Sequence, residues 1–404
     1  MTAQLPAAAP LNVGIVAGES SGDTLGAALI AALQARIPGT RCFGVAGPKM
    51  IAAGCEAWAS SEELAVMGFT EPLLRLPRLL KLRSMLTSRF SAVRPDVFVG
   101  IDAPAFNLGL EQRLKSQGLK TVQYVSPQVW AWRQGRVRTI GKACDLVLCL
   151  LPFETDFYSQ HGVKAVFVGH PLADQIPLEV DRAAARQALG IEPDATVVAL
   201  LPGSRMGEVE RLGADFVAAA AWIASRRPGV RFIAPMASAR VRAAFERHAA
   251  AFERGGTGPA LLLLDGQAQC ALAAADAAIV ASGTATLETL LTGRPMVVAY
   301  RVSAVTAFLL RRLALVKVPY FSQPNLLVGR RLVPEFLQEQ VSGAALGAAL
   351  LQEIDNPEHV SELGREFRRV HEVLRRGGAE RAAEAILQYV RGVSDAESAQ
   401  REAS

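Results

Sequence analysis

Val13-Gly14-Ile15-Val16-Ala17-Gly18-Glu19-Ser20-Ser21-Gly22-Asp23 is the stretch that decides the fold. Its apolar residues 13–17 predict a buried strand, and residues 24–35 after it predict a helix. The small polar residues 18–23 between them place backbone N–H groups at a helix N-terminus, where an anion is favoured. This stretch therefore predicts a polar or phosphorylated ligand at the carboxyl end of a strand in an α/β sheet.

Three known motifs compete for this turn. It lacks the Lys-Ser/Thr of a Walker loop and the Gly-x-Gly-x-x-Gly of a dinucleotide fingerprint. It does match the Gly-x-Ser-x-Gly nucleophile elbow of α/β-hydrolases, with Ser20 in the middle. The elbow normally follows several strands, whereas here it ends the first one. An ordinary Gly/Ser-rich turn that caps a helix is a further alternative for these residues.

Length and composition indicate a two-domain protein. The chain has 404 residues, of which 50% are apolar, enough for two large cores. The net charge of +5 is a mild excess, so we expect no nucleic-acid partner. The five cysteines are odd in number and mostly lie in apolar runs, which is typical of reduced cytoplasmic proteins. We also expect no signal peptide and no membrane span.

Strand-like and helix-like segments alternate along the whole chain. This pattern predicts two α/β domains with parallel sheets, with ligands bound beyond the carboxyl ends of the strands. The pattern pauses around Gly169-His170-Pro171, where we place a domain boundary. The predicted strands lie at residues 13–17, 41–45, 95–101, 120–125, 145–150 and 165–168, and then at 196–201, 231–234, 260–264, 277–281 and 296–300.

Residues 64–90 contain many leucines, and nearly all of their charged residues are Arg or Lys. Pro72 and Pro77 are expected to break up any long helix here. A buried helix fits part of the pattern, but an element resting on an anionic membrane surface fits more of it. The predicted membrane contacts are Val66, Met67, Phe69, Leu73, Leu74, Leu76, Leu79 and Leu80.

Two turns in the second half have the features of a phosphate site. Pro202-Gly203-Ser204-Arg205 follows a buried strand and opens a helix, so its amides and Arg205 could face a phosphate. Ser282-Gly283-Thr284 likewise follows a predicted strand and opens a helix, and Glu288 lies one helical turn later. A carboxylate at that place could accept hydrogen bonds from both ribose hydroxyls. Ordinary turns with a solvated Arg or Glu are the alternative interpretation.

Six motifs in order resemble those of lipid-A-disaccharide synthase over about residues 11–390. They are Gly18-Glu19-Ser20-Ser21-Gly22-Asp23, Ile101-Asp102-Ala103-Pro104-x-Phe106-Asn107, Pro127-Gln128-Val129-Trp130-Ala131-Trp132, Val168-Gly169-His170-Pro171-Leu172, Leu201-Pro202-Gly203-Ser204-Arg205 and Pro324-Asn325-Leu326-Leu327. The resemblance implies a GT-B glycosyltransferase, with two Rossmann-like domains facing a cleft. It implies transfer from UDP-2,3-diacylglucosamine to 2,3-diacylglucosamine 1-phosphate, giving a β-1,6-linked disaccharide and UDP, on the cytoplasmic face of the inner membrane.

The resemblance also implies roles for single residues. Inversion needs a base for the acceptor 6-hydroxyl, and Asp102 is our candidate, with His170 as a rival that more often marks a hinge. The donor would be held by Gly203, Ser204, Arg205, Gly283, Thr284, Glu288 and Asn325. The acceptor side would include Ser20, Ser21, Gly22 and Asp23, with Asp23 either a helix cap or a sugar contact. The absence of an Asp-x-Asp motif predicts no metal and no cofactor.

We expect an acceptor-binding domain at residues 1–175, a UDP-sugar-binding domain at 176–360, and C-terminal crossover helices at 361–404. These last helices would pack on the first domain or on a second subunit, which permits a homodimer. Two other functions remain open at this point. One is a serine hydrolase or acyltransferase that uses Ser20, although no histidine lies in a convincing late loop. The other is a UDP-sugar epimerase, or a transferase with a soluble acceptor.

Overall fold

The computed structural model describes residues 9–65, 72–132, 134–253, 261–303 and 318–392; the side chains of residues 65, 72–75, 132, 252 and 253 are not described. The chain divides into two units. Unit 1 comprises Met1–Pro171 and Leu374–Ser404, and unit 2 comprises Leu172–Val373. Each unit is built on its own parallel β-sheet, as the alternating sequence pattern predicts.

The sheet of unit 1 has seven parallel strands within the described residues, in the order β3-β2-β1-β4-β5-β6-β7. The strand order reverses direction between β1 and β4, which is the topological switch point where doubly wound sheets bind ligands. The strands are β1 (Asn12–Ala17), β2 (Arg41–Ala46), β3 (Cys55–Ser60), β4 (Val97–Ile101), β5 (Thr121–Tyr124), β6 (Leu146–Cys149) and β7 (Ala165–Phe167).

Helices connect these strands, and the last one comes from the C-terminal end of the described chain. They are Glu19–Arg36, Pro48–Ala52, Glu62–Ala65, Pro72–Val93, Pro104–Ser116, Val129–Trp132, Val137–Ala143, Pro152–Ser159 and Gly378–Arg391, with a 3₁₀ turn at Gln134–Arg136. The helix Pro171–Gln175 begins at the boundary between the units.

Unit 2 repeats the arrangement with six parallel strands in the described part, ordered β10-β9-β8-β11-β12-β13. Its switch point lies between β8 and β11. The strands are β8 (Val197–Leu201), β9 (Arg231–Met236), β10 (Leu261–Asp265), β11 (Ala277–Ala281), β12 (Met296–Tyr300) and β13 (Glu335–Leu337). The helices are Arg182–Ala188, Met206–Arg226, Ala239–Glu253, Ala268–Ala274, Thr284–Leu291, Gln323–Val328, Gly343–Asp355 and Pro357–Leu374, with a 3₁₀ turn at Gln338–Gln340.

The predicted strands are present, with ends within about two residues, but two edge strands were missed. β3 contains Glu56 and two alanines, and β13 is three residues long, so neither has a strong apolar pattern. The first helix begins at Glu19 rather than Thr24. The division into units also differs from the predicted domains, since residues 361–373 belong to unit 2 and only the last helix joins unit 1.

The last helix is part of the core of unit 1. Ala382, Ala383 and Ile386 are buried together with Leu29 and Leu33 of the first helix. Lys120 anchors the end of this helix, because its Nζ donates to the carbonyl oxygen of Val390. The last helix therefore packs within its own chain. The homodimer expected through the C-terminal helices stays a prediction.

The helix Pro72–Val93 corrects the interpretation of residues 64–90. Pro72 opens the helix, where its missing N–H costs no bond, and Pro77 lies inside it without ending it. Leu82, Leu86 and Phe90 are buried in an aromatic core, so this half of the segment is a core helix. Gly14 makes room for the Phe90 ring, since a Cβ there would lie 2.7 Å from it.

The other half of the helix is exposed where it is described. Leu76 and Leu80 expose 49% and 45% of their surface, and Leu79 is half-buried. The other predicted membrane contacts, Val66, Met67, Phe69, Leu73 and Leu74, have no described side chain. Within the described residues, no helix is both long and apolar enough to cross a bilayer.

Candidate active site

The switch point of unit 1 brings the first turn of the chain next to Asp102. Strands β1 and β4 are paired so that Ala17 lies opposite Ile101. The next residues, Gly18 and Asp102, therefore leave the sheet side by side. A Cβ on Gly18 would lie 2.9 Å from Cβ of Ala103, so only glycine allows this close approach. Two of the motifs singled out in the sequence thus form one site at the carboxyl edge of the sheet.

Asp102 has a strained backbone that its neighbours hold in place. Asp102 and Ala103 have φ values of 51° and 42°, a left-handed conformation that is uncommon for residues with a side chain. The Asp102 N–H donates to the carbonyl oxygen of Tyr124 at 2.8 Å. The Asp102 carbonyl oxygen accepts from Nδ2 of Asn107 at 2.9 Å and from Nε2 of Gln123 at 3.2 Å. Strain at a ligand-binding strand end is typical of functional sites.

The Asp102 carboxyl group has the environment of a base. The residue is half-buried, and among the described residues no cationic side chain pairs with it. Burial raises the pKa of this carboxyl above its ordinary value, and a hydrogen bond from the Ala103 backbone N–H opposes part of that shift. A carboxylate with a raised pKa and no counter-ion accepts protons more readily than a solvated one.

The residues expected on the acceptor side divide into two groups. Ser20 and Ser21 are exposed in the first turn of the helix Glu19–Arg36, so their hydroxyl groups are accessible. Gly22 is buried. Asp23 is also buried, and its two carboxylate oxygens accept from the N–H groups of Lys49 and Met50, each at 3.0 Å. Asp23 is therefore a cap of the helix Pro48–Ala52, which was one of its two predicted roles.

His170, the rival base, lies at the point where the chain leaves unit 1. It is 9% exposed, and its backbone N–H donates at 2.9 Å to the carbonyl oxygen of Leu374, where the chain returns. The hydrogen bond joins the two chain segments of unit 1, and the role of His170 as hinge or base stays a prediction.

In unit 2, the turn after β8 is occupied by a carboxylate of its own helix. Oε2 of Glu208 accepts from the N–H groups of Ser204 and Arg205, at 3.0 and 3.2 Å. Gly203 has a φ of 122°, and a Cβ there would lie 2.6 Å from Cβ of Glu208. The expectation that these two amides face a phosphate therefore does not fit this geometry. The Arg205 side chain, 76% exposed, makes one 3.3 Å contact with Glu208 and remains accessible.

The turn after β11 is open to an anion. The helix Thr284–Leu291 starts at Gly283, which has a φ of 151°, and no side chain caps it. Among the described residues, none accepts a hydrogen bond from the N–H groups of Gly283, Thr284 or Ala285. Gly283 and Thr284 are exposed. Three amides without an acceptor at a helix N-terminus are suited to an anion, as the sequence predicts for this strand end.

Glu288 lies one turn further along the same helix. It is half-buried, and no described group donates a hydrogen bond to its carboxylate. Burial alone raises its pKa. A half-buried carboxylate without a partner, next to an anion site, fits a ligand that carries hydroxyl groups close to its phosphates.

Asn325 has a structural role that the sequence did not reveal. It is fully buried, and its Nδ2 donates to the carbonyl oxygen of Val333 and to Oε1 of Glu335, at 2.9 and 2.8 Å. Its Oδ1 accepts from the N–H groups of Leu332 and Val333. Every hydrogen-bonding position of the amide is therefore used. The expectation that Asn325 contacts the donor does not fit, because no donor or acceptor atom is free.

Glu335 is the residue at this site that sequence reasoning missed. Its carboxylate accepts from the N–H groups of Phe321 and Ser322 and from the hydroxyl group of Ser322. Ser322 is thereby held next to the open turn, where Oγ of Ser282 donates to the carbonyl oxygen of Phe321 at 2.8 Å. The ring of Phe321 stacks on Tyr300 at the end of β12, with centroids 6.1 Å apart. A single Glu in a three-residue strand gives no sequence signal for this role.

A family model described as lipid-A-disaccharide synthetase matches residues 13–390 of the chain. The chain belongs to the lipid-A-disaccharide synthase family. The lipid-A-disaccharide synthase of Yersinia pseudotuberculosis serotype I is 51% identical over 384 residues, covering 95% of this chain and 96% of that protein. Members of this family form the lipid A disaccharide, and the chain is accordingly a glycosyltransferase.

Solved structures give the same result for the fold. The glycotransferase of kitacinnamycin superposes with a TM-score of 0.60 at 18% identity, covering 94% of this chain and 99% of its own. The UDP-GlcNAc 2-epimerase of Neisseria meningitidis, solved with UDP-GlcNAc, superposes with a TM-score of 0.61 at 13% identity, covering 95% and 100%. At these identities the likeness concerns the fold alone, which is the GT-B fold of two Rossmann-like domains.

Proposed function

We propose that the chain transfers 2,3-diacylglucosamine from UDP to the 6-hydroxyl of 2,3-diacylglucosamine 1-phosphate, with inversion at the anomeric carbon. The products are the β-1,6-linked disaccharide 1-phosphate and UDP. The observation that carries this proposal is the uncapped helix N-terminus at Gly283, Thr284 and Ala285, with the partnerless Glu288 one turn later. The amides match a diphosphate, and the carboxylate matches the two hydroxyl groups of a ribose.

Unit 2 would therefore hold the donor. The diphosphate would accept from the open amides at residues 283–285, and the accessible Arg205 would bind it through its guanidinium. Both groups gain strength as negative charge develops on the leaving diphosphate, so they stabilise the transition state. Gly203 and Ser204 would act on the donor indirectly. Glu208 holds their turn, and the turn sets the position of the Arg205 backbone.

Unit 1 would hold the acceptor and supply the base. Asp102 takes the proton from the acceptor 6-hydroxyl as that oxygen forms its bond to the anomeric carbon of the donor. The bond from this carbon to the phosphate oxygen breaks, and its electron pair leaves with UDP. Ser20 and Ser21, exposed beside Asp102 in the first turn of their helix, would contact the acceptor sugar or its phosphate.

Product analysis by mass spectrometry tests this function. We expect the disaccharide 1-phosphate and UDP only when donor and acceptor are both present. An epimerase would change the donor without any acceptor, and a serine hydrolase would release fatty acid and be labelled at Ser20 by a fluorophosphonate. Either outcome, without disaccharide formation, would contradict the proposal.

We further propose that the chain binds the anionic inner surface of the inner membrane, where its diacylated substrates reside. The exposed leucine pair, Leu76 and Leu80, lies four residues apart on one helix face, with Arg78 and Lys81 also exposed. Exposed leucines flanked by basic side chains are suited to the boundary between lipid headgroups and acyl chains.

Replacing both leucines with serine (Leu76→Ser, Leu80→Ser) should reduce binding to anionic vesicles roughly tenfold, because two half-exposed leucines no longer enter the interface. Sedimentation with vesicles measures the bound fraction, and circular dichroism checks that the fold is unchanged. The matched control is Ile51→Ser with Leu262→Ser, which removes two other exposed apolar side chains. If the double leucine variant sediments like the unmodified chain, the leucine pair is not the membrane contact.

A further inference from the structure

Three fully buried polar side chains form a cluster next to Asp102. The proposed reaction gives them no role so far. They are Asn107, Glu111 and Gln123, each with 0% exposure. Four of their oxygen atoms have no hydrogen-bond partner: Oδ1 of Asn107, both carboxyl oxygens of Glu111 and Oε1 of Gln123. Buried polar atoms are nearly always paired in native proteins, so four acceptors left together call for an explanation.

The fold brings the three side chains to one face of the sheet. Asn107 and Glu111 are four residues apart on the helix Pro104–Ser116, so they share a helix face. Gly100 of β4 is paired with Gln123 of β5, so their side-chain positions point to the same face. A Cβ on Gly100 would lie 2.3 Å from Oε1 of Glu111 and 3.0 Å from Cβ of Asn107. Glycine at position 100 is what makes room for the Glu111 carboxyl group.

The side-chain NH₂ groups of Asn107 and Gln123 donate hydrogen bonds to strained residues that follow two strands. Both donate to the carbonyl oxygen of Asp102. Nε2 of Gln123 also donates to the carbonyl oxygen of Val125 at 3.2 Å. Val125 has a φ of 77°, an unusual value for a β-branched residue. Both side chains therefore fix the left-handed turn after β4, and Gln123 also fixes the one after β5.

The charges around Glu111 leave it without an ionic partner. Lys115, on the same helix, pairs with Asp145 at 2.9 Å and donates to the carbonyl oxygens of Gly141 and Cys144. Cys144 faces Glu111 from the segment before β6, and burial raises the pKa of its thiol. Asp102 lies above. Burial raises the pKa of Glu111 to about 8, although Lys115 opposes the shift.

A protonated Glu111 supplies a hydrogen-bond donor, which the unpartnered amide oxygens of this cluster lack. A neutral carboxyl carries an O–H donor, and all four unpartnered atoms are acceptors. A hydrogen bond from Glu111 to an amide oxygen fixes which end of that amide faces the sheet interior. The NH₂ end then faces the Asp102 carbonyl oxygen.

We propose that Asn107, Glu111 and Gln123 form a positioning triad, in which the O–H group of protonated Glu111 donates to one amide oxygen and the two amides hold the base Asp102 in its strained conformation. This inference rests on the proposed role of Asp102. The triad itself touches no substrate. It acts on the rate through the placement of one carboxylate, and a displacement of about 1 Å costs up to about a hundredfold in rate.

The triad predicts a specific alkaline limb in the pH profile of kcat. Glu111 is protonated below about pH 8 and ionises as the pH rises above that value, which replaces the O–H donor with a buried charge. The rate should therefore fall above about pH 8 in the unmodified chain. Glu111→Gln keeps an NH₂ donor and cannot ionise, so we expect unchanged kcat at pH 7 and an alkaline limb moved to higher pH.

Glu154→Gln is the matched control for this experiment. Glu154 is another buried carboxyl of unit 1 with a raised pKa, about 7, but its oxygens are paired with Nε1 of Trp130 and the N–H of Leu151. Its replacement should leave the alkaline limb of kcat where it is. If Glu111→Gln retains the same limb as the unmodified chain, the triad is refuted.

Gln123→Met tests the amide end of the triad. Methionine has a similar length but cannot donate, so kcat should fall up to about a hundredfold, while the KM for the acceptor and the affinity for UDP stay the same. Unchanged kcat would overturn the inference. Assays of Asp102→Asn distinguish a failure of the triad proposal from a failure of the proposed function. An inactive Asp102→Asn beside a fully active Gln123→Met refutes the triad alone, whereas an active Asp102→Asn refutes the base.

Discussion

Asp102→Asn should lower kcat by about 10³-fold while leaving the affinity for UDP within about twofold. The amide has nearly the same shape, so the strained turn and its hydrogen bonds from Asn107 and Gln123 are kept. The amide cannot take up the proton of the acceptor hydroxyl, so that oxygen must attack without a base. UDP binds to unit 2 under this account, and unit 2 does not contain Asp102.

Single-turnover kinetics and calorimetric titration with UDP measure the two quantities. Asp96→Asn is the matched control, because Asp96 precedes the same strand at its opposite end, where Oδ2 accepts from the N–H of Asn12. That variant should turn over normally. The pH profile adds a further check. Burial raises the pKa of Asp102, so kcat/KM should fall as the pH drops through that raised value. Near-normal turnover by Asp102→Asn would remove Asp102 from the role of base.

Arg205→Ala should lower kcat by about 10²-fold, with a smaller effect on the KM for the donor. The guanidinium is exposed and, among the described residues, contacts only Glu208, at 3.3 Å, so its loss leaves no buried group there unpaired. The effect arises in the transition state, when the diphosphate gains charge as it leaves. Arg205→Lys should recover part of the rate, since an ammonium group supplies the charge but not the bidentate geometry.

Arg226→Ala is the control for this prediction. Arg226 lies at the opposite end of the same helix, where its guanidinium stacks on Trp222 at 3.7 Å. Its replacement removes the same charge from the chain, so it corrects for any general electrostatic effect. Equal rates for Arg205→Ala and Arg226→Ala would show that Arg205 does not stabilise the leaving group, and the open amides at residues 283–285 would then have to do so alone.

The strand ends of this fold are readable from sequence because each buried parallel strand is a short apolar run closed by small or polar residues. Those rules found the turns after β1, β4, β8 and β11, and the strand order of the structure places these turns at the two switch points. They could not find β3 or β13, where the apolar pattern is weak. They also placed the first helix five residues late, since Gly, Ser and Asp favour turns locally although here they lie in a helix.

The side chains at the site were harder to assign than the strands. Asn325 stands in a motif that resembles the family, yet its side-chain hydrogen bonds all go to residues 332–335, and contacts of that kind have no sequence signature. Glu208 had a weak signal, because it stands at the capping-box spacing from Arg205. Gln123 had one as well, since it is a polar residue in the middle of a buried strand. Neither residue type alone separates a structural role from a functional one.

The configuration of the new glycosidic bond tests the central claim most directly. Direct displacement of an α-linked UDP by an acceptor hydroxyl gives a β-linked product in a single inversion. NMR of the disaccharide 1-phosphate formed by the purified chain should therefore show a β-1,6 linkage, with one UDP released for each disaccharide. An α-linkage, or release of UDP without disaccharide, would contradict the direct displacement that Asp102, Arg205 and the open amides of unit 2 are proposed to carry out.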